Sequence, residues 1–228
     1  MELPQTPDGA GLALARSTYW ARRTRRHALL AFVSAASTAA QFQVLVAKDA
    51  IWRISMATAY TSLGLLAVSL LVGPWNVLRR RPNPVSTDLR RDIGIWAAAC
   101  GLTHVAFGLQ VHLRGKMLQY FLYPPEQRHR IPFRRDAFGF ANYTGLGATL
   151  VLALLLALSN DLSLRALGPA RWKSLQRWNY VGFALMLLHG AAYQVIEKRA
   201  ALFVGVFGAV VLLVVSLQAA GYRRVKRG

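Results

Sequence analysis

Six apolar stretches near the ~20 residues needed to cross a bilayer as a helix divide this sequence, with basic clusters or helix breakers between them. They run over 27–47, 57–75, 93–113, 142–160, 178–196 and 200–221. A chain of 228 residues has room for one compact helical membrane domain and little else. We therefore expect an all-α, polytopic membrane protein built as a six-helix bundle. The charged residues lie at the ends of the runs, where a membrane protein marks its topology. A net charge of +19 read this way gives no reason to expect nucleic acid as a partner, and the expected surroundings are a lipid bilayer.

In chain order, residues 1–26 are a polar segment closing in Arg22, Arg23, Arg25 and Arg26. The first span and its loop occupy 27–56. Basic residues before an apolar, small-residue run also describe a signal peptide. The run stays uncharged to Ala47, longer than a typical signal core, so a retained span is expected. The second span closes at Pro74, and the third carries His104. A long loop at about 114–141 contains prolines that break helix, with room for a short interfacial helix after them. The tail, 222–228, is basic.

Eighteen of the 28 lysines and arginines fall on one side of this arrangement: the N-terminus, the second and fourth loops, and the tail. An even number of spans then leaves both termini cytoplasmic under the positive-inside rule. The single cysteine, Cys100, excludes an intrachain disulfide and argues against a thiolate-held cluster; it reads as a small core residue.

Two histidines stand out because an ionisable side chain inside an apolar run is costly unless it pairs, lines a cavity or binds something. His104 is 12 residues beyond Asp92 and His189 is 12 beyond Arg177, the last charges before their spans. Both therefore lie about 18 Å up parallel helices. Neutral imidazoles at one depth can ligate an iron from its two faces. They can also simply hydrogen-bond to neighbouring helices. Small residues near them (Ala97, Ala98, Gly101, Gly108, Gly182, Gly190) suit either close helix packing or room for a flat macrocycle. His27 and His129 read as solvated residues at the membrane edge and in a loop. His112, eight residues past His104, is near the outer surface and is not expected to be a ligand.

From about residue 57 to 220 the chain resembles the ferric-reductase-like transmembrane domain. The pieces that carry the likeness are GPWNVLRRRPNPVSTDLRRDIGIW leading to His104, DAFGFANYTGLGATLVLALLLALS, and LGPARWKSLQRWNYVGFALMLLHGAAY. That superfamily includes ferric reductases, NADPH oxidases and the haem-binding membrane subunit of the bacterial periplasmic methionine sulfoxide reductase system. The resemblance implies a six-span bundle over 57–221 plus the first span, a b-type haem with His104 and His189 as axial ligands, and a place in a bacterial plasma membrane. Family members usually carry a second histidine thirteen residues before the His189 position. Gln176 stands there, and Arg91 stands at the corresponding place before His104. An amide is not a normal haem ligand, so one haem is expected rather than two. Trp96, Trp172 and Trp178 lie near that inner level. They are interface anchors or neighbours of a flavin or quinone head group.

The expected function is electron transfer from an inner-side quinol or flavoprotein to an outer-side redox partner, without a nicotinamide or flavin domain in this chain. Arg114 and Lys116, just above His112, are candidates to meet the haem propionates. A rival reading is a haemless accessory or scaffold subunit of a membrane complex. A transporter fits less well, since no acidic residue lies deep in a span.

Overall fold

The computed structural model describes residues 9–45, 49–81, 88–114 and 116–227, with side chains from Ser17 onward. The start of the N-terminal segment, the Arg16 side chain, Lys48 and the 82–87 part of the PNPVST loop lie outside the described residues. What is described is helical. Three of its helices, Ala50–Leu78, Ala137–Leu158 and Ala201–Arg227, are long and apolar enough to cross a membrane.

Helix α1 (Gly9–Val44) begins well before residue 27 and carries the basic cluster inside it. Ala, Leu and Arg dominate its first half and no proline interrupts it, so nothing ends the helix at the membrane edge. Its 36 residues reach about 54 Å, beyond the thickness of a bilayer core.

Helix α2 (Ala50–Leu78) starts at Asp49, whose carboxylate accepts the Trp52 N–H at 2.9 Å. The sequence suggests that Pro74 ends this span, yet the helix continues through it for another turn. A proline withholds an N–H from the carbonyl four residues earlier, here Leu70. Gln218 of α7 (Ala201–Arg227) donates to that carbonyl at 2.9 Å. Gly221, one turn on, lies so close that a Cβ there would meet Pro74 at 3.0 Å. The freed group is satisfied by a neighbouring helix, as apolar surroundings require.

Helix α3 (Asp88–Gly108) ends five residues before the expected boundary. Tyr120, from the one-turn helix Met117–Tyr120, is the reason. Its hydroxyl donates to the Gly108 carbonyl at 3.1 Å and accepts the His112 N–H at 2.9 Å. The loop that follows holds a second single turn, Pro125–Gln127, and one isolated bridge between Leu122 and Phe133. His129 stacks on Tyr123 in this loop at 3.8 Å between ring centres.

Helix α4 (Ala137–Leu158) is capped by Asp136. The expected loop after it is instead α5 (Asp161–Gln176), capped by Asn160 and kinked at Gly168. Gly168 has φ 71°, a conformation that favours glycine, and Pro169 then restarts the helix. Helix α6 (Trp178–Ile196) has the boundaries expected for the fifth span.

Helix α2 is the centre of the packing. Leu63, Leu66, Ala67 and Leu70 meet Ala97 of α3, Phe183 of α6 and Val214 of α7. Polar residues on α2 tie it to its neighbours. Ser62 donates to the Ala97 carbonyl at 2.8 Å, and Gln41 of α1 donates to Thr61 at 3.0 Å. Leu202, Leu212, Leu213 and Val215 of α7 face outward, as expected of a helix in lipid rather than water.

At the basic end of the bundle, Asp92 is fully buried with Arg23 at 3.4 Å, Arg26 at 3.3 Å and His27 at 3.3 Å. Arg91 bridges Asp161 at 2.6 Å and Asp88 at 3.2 Å. His27 is therefore part of a charged cluster rather than a solvated edge residue, and Trp96 donates to its Nδ1 at 3.2 Å. Cys100 is buried, in keeping with a core role.

Candidate functional site

The structure brings His104 and His189 together, with ring centres 6.0 Å apart and planes inclined by 70°. Each ring is held in the same way. His104 Nδ1 lies 2.9 Å from the Ser55 carbonyl of α2, and His189 Nδ1 lies 2.8 Å from the Ala141 carbonyl of α4. A carbonyl only accepts, so Nδ1 carries the proton in both rings. The lone pair of each neutral imidazole is then on Nε2. No hydrogen bond among the described residues uses either Nε2. A ring fixed through Nδ1 with a bare Nε2 is the usual preparation of a metal-ligating histidine.

Glycine makes one of these seats possible. A Cβ at Gly145 would lie 2.6 Å from His189 Nδ1, so only a residue without a side chain lets the ring approach α4. Across the site, Ser55 Oγ lies 3.1 Å from His104 Nδ1 and faces Gly108. Other small residues read from the sequence serve helix packing. A Cβ at Gly182 would meet Val151 at 3.0 Å and one at Gly190 would meet Phe207 at 2.7 Å.

Both histidines line a cavity of about 280 Å³ whose walls are largely apolar. Such a cavity, with few polar groups, is the ordinary form of a cofactor site. Two metal–imidazole bonds of about 2 Å plus the two ring radii place ring centres about 6 Å apart. The observed separation leaves room for a metal ion between the two rings. Among the described residues, no group of three or more His, Cys, Asp or Glu could hold a bare metal ion.

Towards the end of the bundle away from the basic cluster, polar residues close the cavity. His112 Nε2 is 2.8 Å from Glu197, and Arg199 is 2.9 Å from the other oxygen of the same carboxylate. Burial pushes the Glu197 carboxyl up, but His112 and Arg199 outweigh it and hold the group below its ordinary value. Arg199 is itself lowered by burial, against the opposing pull of Glu197. Its Nη1 is buried and has no hydrogen-bond partner, although Arg199 lines the cavity. Arg114 and Lys116 do not line it. Arg114 pairs with Asp49 at 2.9 Å, and Lys116 is exposed. His112 lines the cavity and stacks on Tyr193 at 6.0 Å, and Tyr193 in turn meets the His189 ring at 5.0 Å. Tyr193 also donates to Asn142 at 2.9 Å.

Gly145, Ser55, Tyr193, Glu197 and Arg199 are not site candidates from the sequence alone. Tyr193 follows His189 by one helical turn, a spacing that could have flagged it. The others become visible only when α2, α4 and the start of α7 are placed beside the histidines.

Gln176 and Arg91 meet at a second cavity, of about 240 Å³, at the basic end. It offers no histidine, and among the described residues it has no carboxylate in its lining. Trp172 lines it but donates to the Leu158 carbonyl at 2.9 Å, while Trp178 is exposed. Leu152 lines both cavities and stands between them. Neither a protein-family model nor a curated protein matches this chain.

Proposed function

We propose that this chain is an integral-membrane electron carrier with one b-type haem, ligated by His104 and His189, in a six-span bundle with both termini cytoplasmic. The observation that carries the reading is the matched pair of imidazoles, each anchored through Nδ1 and bare at Nε2, facing one apolar cavity. The haem would supply one-electron chemistry at its iron. The chain's own residues fix the ring orientations, exclude water through apolar walls, and offer Arg199 as the cation for a propionate. From the sequence, Arg114 and Lys116 are the candidates for that contact, but among the described residues Arg199 is the cation that lines the cavity. The rings of Tyr193 and His112 continue from His189 towards the outer side, where a redox partner would dock. The donor would be a quinol or flavoprotein on the basic, inner side, in a bacterial plasma membrane. α1, α3 and α6 complete the six spans; Ser37, Thr38 and Gln41 of α1 turn to Thr61 of α2, and Thr103 of α3 donates to the Ala99 carbonyl of its own helix.

A haemless accessory subunit is the second reading. It is favoured by the edge-to-face arrangement of the two histidines, each already hydrogen-bonded through Nδ1 to a backbone carbonyl. A reduced-minus-oxidised spectrum with a pyridine haemochrome count decides between them. About one low-spin b haem per chain, lost in His104→Ala and in His189→Ala, is the expected result. A colourless protein from haem-replete cells, or a full low-spin spectrum in His189→Ala, would overturn the proposal.

A further inference from the structure

The second cavity has a composition of its own. Arg90, Arg91, Lys173 and Arg177 line it, with no carboxylate among its described lining residues. Arg91 is engaged with Asp161 and Asp88, and Arg90 donates to the Ser69 carbonyl. Lys173 and Arg177 are exposed and make no ion pair with a described residue. Deeper in, two donors are buried without a partner: Arg91 Nε, on a side chain only 4% exposed, and Gln176 Nε2. The far wall is apolar, made by Leu66, Leu152, Leu155 and Leu156.

Unpaired buried donors are costly, and Arg90, Lys173 and Arg177, none of them ion-paired with a described residue, repel one another. Both costs disappear if an anion with acceptor oxygens enters. The apolar wall asks that the same molecule bring hydrocarbon. A quinol would be a poor occupant, because the lining offers neither carboxylate nor histidine to take its protons.

We infer that the cleft between α2, α3, α4, α5 and the start of α6 is a binding site for one anionic phospholipid. Its phosphate meets Lys173, Arg177 and the buried donors of Gln176 and Arg91, and its acyl chain lies along the leucine wall. Basic pockets between membrane helices on the cytoplasmic side commonly take such head groups. The site is independent of the haem reading and depends only on the chain's membrane placement. The bound lipid would pack against Leu152, the residue shared with the histidine cavity.

The test is native mass spectrometry of the full chain released from detergent, with thermal melts in added phosphatidylglycerol, phosphatidylcholine or inorganic phosphate. The wild-type chain should retain a single phosphatidylglycerol and be stabilised by it, but not by phosphatidylcholine. A Lys173→Gln/Arg177→Gln variant should lose about thirtyfold in lipid affinity, from roughly fivefold per cation. Both residues are exposed, so the variant is expected to fold. An Arg223→Gln/Arg224→Gln control removes two exposed cations from α7, away from the cleft, and should retain the lipid. Equal retention by the wild-type and cleft variants, or loss in the control as well, would overturn the site. Stabilisation by inorganic phosphate equal to that by phosphatidylglycerol would overturn the lipid assignment.

Discussion

Gly145→Ala tests the histidine site with one methyl group. The new Cβ would lie 2.6 Å from His189 Nδ1 and 2.8 Å from Cε1, where ordinary contact begins at 3.4 Å. The imidazole must therefore retreat by about 0.8 Å, since the other wall of the contact is the α4 backbone. Overpacking of this kind costs about 1–3 kcal/mol. Alanine recovers about 1 kcal/mol of helix propensity over glycine, so net stability falls by at most about 2 kcal/mol. The effect on ligation is much larger, because metal–nitrogen distances tolerate only about 0.2 Å. The ring also loses its 2.8 Å bond to the Ala141 carbonyl, which sets its tautomer. Far-UV circular dichroism should remain helical and the melting temperature should drop only slightly, while the low-spin Soret and α bands are lost or become high-spin. A G145A protein with wild-type haem content and an unchanged low-spin spectrum would refute both the ring's position and its role as ligand.

Gln218→Leu leaves the Leu70 carbonyl unpaired in apolar surroundings and should cost about 1 kcal/mol, measured by unfolding in mixed detergent. Pro74→Ala restores the missing N–H, so the same Gln218→Leu change in that background should cost close to nothing; additivity of the two would show that the side chain does not compensate for the proline. Asp92→Asn removes the buried carboxylate between Arg23 and Arg26, which keep Asp161 at 3.7 Å and Asp88 at 3.6 Å, and should destabilise by about 1–3 kcal/mol, read from thermal melts in detergent. Acid should also weaken the fold. Asp161 and Asp136 are lowered chiefly by hydrogen bonds from Arg91 and Arg134. The stability they contribute is complete above the ordinary carboxyl value near 4 and is lost as pH falls through the lowered values. A melting temperature that is level from pH 4 down to 2 would contradict those pairings.

The apolar runs, their basic flanks and the equal depth of His104 and His189 are legible from residue type and counting. Hydropathy and helical rise act locally, so α6 has the expected limits and the two rings meet as their depths suggest. Element ends were less legible wherever a distant side chain sets them. Tyr120 stops α3, and Gln218 carries α2 through Pro74, each across many residues of sequence. Helix α5 was hidden because its polar, Gly-Pro-interrupted sequence looks like a loop.

The spacing of side chains along single helices makes this chain helical, apolar enough for a membrane, and furnished with two histidines at one level. Which groups surround those rings depends on how the helices pack. Ser55, Ala141 and Gly145 orient them, and Arg199 rather than Arg114 lines the cavity. Hydrogen-bond partners and steric seats belong to pairs of helices, and pairing across the bundle is set by packing that no single segment records.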